Sequence, residues 1–309
     1  MTPDPHPRSE AVEEIFNTEK PLASFKLAQL SQLNGNDLQQ FETSWSHTDI
    51  SRREQIMTNL IHLSETDLKL DFCNIFIFCL DDPDEKIRIH AARGLEIEEE
   101  EIVVTPLLKT IQQDDSAEVR ASAATALGKF ALLGELGKIT NIYTEKVYHA
   151  LLQILGNEQE ASEVKRRALE SIAPLNMPHV KELIDNAYHS SDQKTKASAL
   201  YAMGRNCDPL WFDILLSELG NTMPLMRYEA ARALGELGDE EAVPDLSLLT
   251  TDEDIEVQEA AIKAIGEIGG SHARRILEKL AKSQDLRTSE AAKSALTELA
   301  VFEDPISIE

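Results

Sequence analysis

Hydrophobic and polar positions recur along the chain in one short pattern. An aliphatic residue precedes a basic or polar one, Ala follows four places after it, and Leu or Ile and then Gly follow at eight and nine. The clearest copy runs from Met226 through Ala230 to Gly235, and another runs from Val257 to Gly266. The ninth position falls at 96, 128, 173, 204, 235, 266 and 297, so the last four intervals are each 31 residues. An interval this constant indicates internal repeats.

Each repeat predicts two helices, of which the second carries the pattern. The copy at Met226 places its apolar residues on one stripe of a 3.6-residue period. These residues are Met226, Ala230, Ala233, Leu234 and Leu237. We expect the glycine of each copy to end the second helix, because a helix C-terminus often needs a positive φ. The segment from Phe72 to Leu80 has a composition that suits a strand, but its place in the register predicts a first helix.

Composition agrees with an all-α fold and narrows the class of partner. Of the 309 residues, 42% are hydrophobic, only 5% are aromatic and 13 are glycine, which favours helices over a β-sandwich or barrel. The formal charge is −25, from 55 acidic and 30 basic side chains. A polyanion would be repelled, so we expect neither nucleic acid nor an anionic membrane surface as a partner.

Signal, membrane-spanning and cysteine patterns indicate the compartment in which we expect the protein. The start, MTPDPHPRSEAVEE, has no apolar core of a secretory signal, and the stretch from Phe72 to Leu80 is too short to span a bilayer. The three cysteines, Cys73, Cys79 and Cys207, are sparse and odd in number. We therefore expect a cytoplasmic protein with reduced thiols.

An aspartate six residues before the basic residue, as in Asp82 with Arg88 and Asp114 with Arg120, completes the pattern. With it, residues 67 to 300 resemble HEAT repeats, and the 31-residue form resembles the HEAT-like repeats of the phycobilisome-lyase type. The resemblance implies an all-α solenoid of about seven helix pairs with an irregular helical N-terminal cap.

The predicted organisation has four parts. We expect disorder over residues 1–18, a helical cap over 19–66, the repeat solenoid over 67–302 and a frayed tail over 303–309. One interval of 45 residues places an insertion at about 131–144, interpreted as a longer loop with an extra helical turn.

The sequence contains no recognisable catalytic constellation. Deoxyhypusine hydroxylases resemble this architecture and hold iron with His-Glu pairs, but none of the eight histidines here is followed by Glu. Zinc-protease and serine-hydrolase motifs are also missing. Cys73 and Cys79 are six residues apart, so on a helix they do not share a face. We therefore predict no catalytic, metal-binding or cofactor-binding residues, and no enzyme.

A basic residue follows the aliphatic position in most copies. We expect these residues to hydrogen-bond the preceding turn and the neighbouring repeat, a ladder worth about 0.5–1 kcal/mol per rung. They are Arg88, Arg120, Lys165, Lys196 and Arg227.

The positions two and six residues after the aliphatic one form what we call the second-helix row. In HEAT arrays the second helices line the concave face. The row consists of Ile89, Arg93, Ala121, Thr125, Arg166, Glu170, Ala197, Tyr201, Tyr228, Arg232, Glu259, Lys263, Glu290 and Ser294. Tyr and Arg are favoured anchors of interfaces. Our candidate partner-binding residues are Arg93, Arg166, Tyr201, Tyr228, Arg232 and Lys263.

The sequence favours a monomeric, non-catalytic scaffold or adaptor that binds another protein on the concave face. Two alternatives stay open. One is a phycobilin-lyase-like chaperone for a tetrapyrrole or its acceptor protein, with Arg166 and Arg232 on the propionates and the tyrosines on the pigment. The other is a HEAT-like DNA glycosylase, which needs a basic groove that the acidic charge disfavours.

Overall fold

All regular structure that the computed structural model describes is helical. The description covers Val12 and residues 14–303. Residues 14–16 are helical, residues 24–303 form 17 α-helices and four 3-10 helices, and none of the described residues lies in a strand. The helices divide between two compact units, Met1–Ile172 and Ala173–Glu309. The all-α prediction is confirmed.

The first unit contains nine of these α-helices. They are α1 (Ser24–Leu27), α2 (Gly35–Ser46), α3 (Ile50–Thr66), α4 (Cys73–Cys79), α5 (Glu85–Gly94), α6 (Val104–Gln113), α7 (Ala117–Glu135), α8 (Asn141–Gly156) and α9 (Ser162–Ile172). The second unit contains α10 (Pro178–Tyr188), α11 (Gln193–Asn206), α12 (Phe212–Glu218), α13 (Pro224–Leu237), α14 (Val243–Leu249), α15 (Ile255–Ile268), α16 (Gly270–Leu280) and α17 (Leu286–Glu303). The 3-10 helices are Ala28–Leu30, Glu101–Val103, Pro209–Trp211 and Glu240–Ala242.

From α4 onward the helices form seven pairs in the predicted register. Each even-numbered helix packs against the odd-numbered helix that follows it, from α4 with α5 to α16 with α17. Within each unit, successive second helices also pack on one another. The segment from Phe72 to Leu80 forms the first helix α4, as its register predicted. The prediction of about seven helix pairs is confirmed.

The glycines of the pattern do not end their helices, which corrects our expectation. Gly204 lies inside α11, and a Cβ added to it would come within 2.7 Å of the Cα of Ala233 on α13. A Cβ on Gly235 would lie 2.9 Å from the Cα of Ala264, and one on Gly266 would lie 2.8 Å from the Cβ of Ala295. The glycine therefore marks a point of close approach between consecutive second helices.

The predicted ladder of basic residues is present. Arg88 donates to both carboxylate oxygens of Asp114, at 2.7 and 3.0 Å, and to the carbonyl of Asp82 at 2.9 Å. Thus Arg88 bridges its own preceding turn and the turn of the next repeat. The same pattern joins Arg120 to Glu160 and Arg227 to Asp252.

The second unit has a lysine rung, and one predicted rung departs from the pattern. Lys196 donates to Glu218 at 2.7 Å. Lys165 acts electrostatically on Glu160, the acceptor that Arg120 already uses. The paired side chains are largely buried, with 9% of Arg227 and 10% of Asp252 exposed, so removal of one partner would leave a buried charge without its counter-charge.

The N-terminal cap also contributes an arginine to the ladder. Arg53 on α3 donates to Asp82 at 2.6 Å, and the indole nitrogen of Trp45 donates to the same oxygen at 2.6 Å. α3 also packs against α5 as a second helix would. Asp49 caps the start of helix α3, because its side chain accepts from the amide of Arg52 at 3.0 Å.

Part of the segment that we expected to be disordered packs into the fold. Val12 and Ile15 are buried, and the Phe16 ring lies 5.2 Å from that of Phe41. Residues 14–16 are helical. The disorder expectation is therefore corrected for these residues, since apolar side chains here find a partner surface on α2. Its remainder over 1–11, and residues 304–309 of the expected tail, lie outside the described residues.

The insertion at 131–144 lengthens two helices instead of forming a long loop. α7 has 19 residues and α8 has 16, against 14 for the second helices α11, α13 and α15. The Leu133 side chain is buried, and a Cβ on Gly134 would lie 2.5 Å from Thr144. Residues 131–135 and 141–144 of the insertion are helical, and α7 and α8 pack closely where Gly134 meets Thr144.

Candidate functional site

In the first unit, the second-helix row lines a groove. The volume of this groove is about 570 Å³. Four row residues contribute, Ile89 and Arg93 from α5 and Ala121 and Thr125 from α7. The remaining lining residues are Glu96, Glu118, Ser122, Glu163 and Arg167. Four of the six row positions of this unit therefore line one groove, and Arg166 and Glu170 are not among its lining residues.

Charged side chains at the α9 edge of this groove are held by one another. Arg167 pairs with Glu163 at 2.9 Å and with Glu170 at 2.7 Å. Arg166 also pairs with Glu163. This network of ion pairs holds long charged side chains in place at the edge of the groove.

Arg93 and Glu96 lie on the opposite edge, at the end of α5. The side chain of Arg93 is exposed. Burial raises the pKa of Glu96, and the positive charges of Arg93 and Arg167 oppose that rise. The groove thus presents carboxylates and guanidinium groups around a small aliphatic floor.

In the second unit, two row residues are in direct contact. The guanidinium carbon of Arg232 lies 4.4 Å from the centre of the Tyr201 ring, a cation–π contact. Arg232 and Arg205 both approach Glu236, at 3.4 and 3.6 Å. Burial raises the pKa of Glu236. Tyr228 is half-buried and lies one helical turn before Arg232 on α13.

The last two second helices form a smaller groove of about 210 Å³. It is lined by the row residues Glu259, Lys263 and Ser294, together with Ala291, Ala295 and Glu298. Lys263 is exposed and lies 3.4 Å from Glu267. The six predicted partner-binding residues therefore divide between the units, with Arg93 and Arg166 in the first.

Sequence reasoning missed one group of side chains with the geometry of metal ligands. One ligand atom each of Asp71, Cys73 and Glu98 lies within 4.8 Å of the others. No histidine belongs to it, and it is the one such group of three or more potential ligands among residues 14–303 and Val12. Glu98 follows Cys73 by 25 positions, a spacing that no short motif could reveal.

Comparison with known proteins places the chain in a family. The family model described as HEAT repeats matches residues 75–173, 180–247 and 212–297. These matches cover more than half of the 309 residues. The chain belongs to the HEAT-repeat family, as its pattern predicted.

Among curated proteins, the chain is similar to deoxyhypusine hydroxylases. It is 30% identical to the Bos taurus protein over 118 residues, which are 38% of this chain and 39% of that protein. It is 27% identical to the Drosophila melanogaster protein over the same length. The chain thus matches about two fifths of the length of these relatives.

Among solved structures, the chain resembles one in the complex of CpcE and CpcF of phycocyanin lyase from Nostoc sp. PCC7120. The TM-score is 0.58 at 16% identity, over 84% of this chain and 94% of that one. A likeness at this identity establishes the fold. It agrees with the resemblance to repeats of the lyase type.

The relatives overturn our prediction that the chain is no enzyme, because the proteins that it matches are named as hydroxylases. The iron-binding pairs implied by that resemblance do not fit this chain. None of its histidines precedes Glu, and the metal-ligand group in the described part contains none.

Among the helices that the structure describes, none is both long and apolar enough to cross a bilayer.

Proposed function

We propose that the chain binds a partner protein on the second-helix row. The observation that carries the proposal is the groove of the first unit, in which Ile89, Arg93, Ala121 and Thr125 come together from two helices as the repeat register predicts. Stacked repeats create extended surfaces of this kind, on which many side chains face one partner. A docking surface serves a binding protein and an enzyme with a protein substrate alike.

Arginine side chains that are held in place by neighbouring groups support this proposal. Glu163 and Glu170 hold Arg167, and Tyr201 and Glu236 hold Arg232. Binding to side chains that are already ordered avoids part of the entropy cost of association. The net charge of −25 favours a partner whose contacting surface is basic, because opposite charges steer encounter.

The same contacts favour a protein over a tetrapyrrole. The alternative needs Arg166 and Arg232 to pair with propionates, yet each already faces a carboxylate of its own helix, Glu163 and Glu236. A ligand would have to displace these carboxylates. Titration of the pure chain with a bilin, followed by absorbance, tests the alternative, and a saturable spectral shift would revive it.

A pair of matched variants tests the proposal. Thr125 and Gln112 are both exposed, Thr125 in the groove and Gln112 on the first helix α6. Thr125→Arg fills the groove, while Gln112→Arg adds the same side chain elsewhere. A partner is first identified by affinity capture and then purified. We expect its affinity, measured by calorimetry, to fall at least about tenfold for Thr125→Arg. Equal affinities for the two variants would contradict the proposal.

The curated relatives favour a second candidate, the hydroxylation of deoxyhypusine that their name states. The 30% identity over 118 residues supports it. It ranks second because the histidine pairs implied for iron do not occur. Incubation of the purified chain with a deoxyhypusine-containing protein and ferrous iron, with mass spectrometry of the product, tests it. A product heavier by one oxygen atom would establish the activity.

A further inference from the structure

A thiol and two carboxylates lie close together beside the first helix pair, which consists of α4 and α5. Asp71 precedes α4, Cys73 is its first residue, and Glu98 lies in the loop after α5. One ligand atom of each lies within 4.8 Å of the others. The carboxylate of Asp71 is also held in place, because it accepts from the amide of Cys73 at 2.9 Å.

The Cys73 side chain is buried and directed into this pair of carboxylates. Only 7% of the residue is exposed, and the cysteine forms no disulfide. Among the residues that the structure describes, its Sγ has no hydrogen-bond partner. A buried thiol without a partner, facing two carboxylate oxygens, is an arrangement that a cation would complete.

The charges around these groups are all of one sign. Burial, together with Glu98, Asp71 and Glu100, raises the pKa of the Cys73 thiol to about 12. Burial, together with Asp71 and Glu100, raises the pKa of Glu98 to about 7. A bound dication would reverse this balance, since it favours both the thiolate and the carboxylate.

We propose that Asp71, Cys73 and Glu98 bind a zinc-type transition-metal ion. Thiolate and carboxylate ligands together suit Zn²⁺, which takes about four ligands including sulfur. Ca²⁺ and Mg²⁺ need about six or more oxygen ligands, which a set containing one thiol and two carboxylates does not supply. The ion would join the start of α4 to the loop after α5 and so fasten the first helix pair.

None of Asp71, Cys73 and Glu98 belongs to the second-helix row, so this site is separate from the proposed partner surface. Failure of one proposal therefore leaves the other standing.

Titration of the purified, metal-free chain with Co²⁺ tests the site. Cobalt bound to a thiolate gives a charge-transfer absorption in the near ultraviolet, which carboxylates alone do not give. We expect one equivalent of Co²⁺ to produce this band and Zn²⁺ to abolish it by displacement. Cys73→Ala should remove the band, and Glu98→Gln should weaken Co²⁺ binding by about tenfold or more.

Two other thiols provide matched controls. Cys79 is buried in the same helix α4, and Cys207 is exposed in the second unit. Cys79→Ala and Cys207→Ala should keep the band, and circular dichroism checks that each variant is folded. The proposal is wrong if the wild-type chain gives no saturable band, or if the band survives in Cys73→Ala. Persistence of binding in Glu98→Gln at unchanged affinity would also exclude Glu98 as a ligand.

Discussion

Arg227 and Asp252 form two parallel hydrogen bonds across a repeat boundary, Nε to Oδ2 at 2.8 Å and Nη2 to Oδ1 at 2.7 Å. Arg227 also donates to the carbonyl of Asn221 at 2.9 Å, in the turn that precedes its own helix. One guanidinium group therefore fixes the distance between two successive turns. The bond to Arg227 lowers the pKa of Asp252.

Arg227→Ala should destabilise the second unit strongly. The substitution leaves the largely buried Asp252 without its counter-charge and two carbonyls without a donor. Breaking a buried pair by removing one partner costs about 3 kcal/mol or more. Urea denaturation followed by circular dichroism measures the loss.

An exposed arginine provides the control for that prediction. The Arg287 side chain is 58% exposed and lies 3.8 Å from Glu259. Arg287→Ala should change the free energy of unfolding by only about 0.5 kcal/mol or less. If both variants lose the same stability, the ladder does not hold the repeats in the way described.

Gly204→Ala should also destabilise the fold, because the new methyl group would meet the backbone of Ala233 at 2.7 Å. Overpacking of this kind costs about 1–3 kcal/mol. Gly156, the last residue of α8, has no atom within 4 Å of a Cβ built on it. Gly156→Ala should be neutral or stabilising by up to about 1 kcal/mol, since glycine weakens helices. Thermal melts of the two variants compare them directly, and a neutral Gly204→Ala would refute the close approach.

Glu98 should make stability depend on pH. Its pKa is higher in the fold, at about 7, than its ordinary value of 4.5. The folded state therefore holds this proton more tightly, and the stability that it contributes is complete below pH 4.5 and lost as the pH rises through about 7. Unfolding measured across this range with a chelator present should show the loss in the wild type and less of it in Glu98→Gln.

Glu99 serves as the control for the pH dependence. It is exposed, and its bond to Lys129 lowers its pKa instead of raising it. Glu99→Gln should therefore keep the wild-type loss of stability between pH 4.5 and about 7. An identical pH profile for Glu98→Gln and Glu99→Gln would contradict the assignment to Glu98.

Structural features that recur from one repeat to the next could be predicted from the sequence. The register placed α4 as a helix although its composition suits a strand, and the Arg88 rung followed from the spacing of Asp82, Arg88 and Asp114. The role of Gly204 was misjudged because a helix-ending glycine and a close-contact glycine look alike until the neighbouring Ala233 is placed.

Contacts that occur only once in the fold could not be predicted from the sequence. The convergence of Asp71, Cys73 and Glu98 depends on how α4 and α5 fold back on each other, and no period along the chain encodes it. The packing of Phe16 on Phe41 likewise joins residues whose separation carries no pattern. The second-helix row was predictable as a set of positions, but the pairing of its charges needed coordinates.

Site-specific photo-crosslinking tests the proposed binding surface most directly. A photoreactive amino acid is placed at Thr125 or Lys263 on the second helices, and at Gln112 or Lys279 on the first helices, all four positions being exposed. The chain is then irradiated with its purified partner. We predict crosslinks from Thr125 or Lys263 and none from Gln112 or Lys279. Crosslinks confined to Gln112 and Lys279 would place the partner on the first helices and contradict the account.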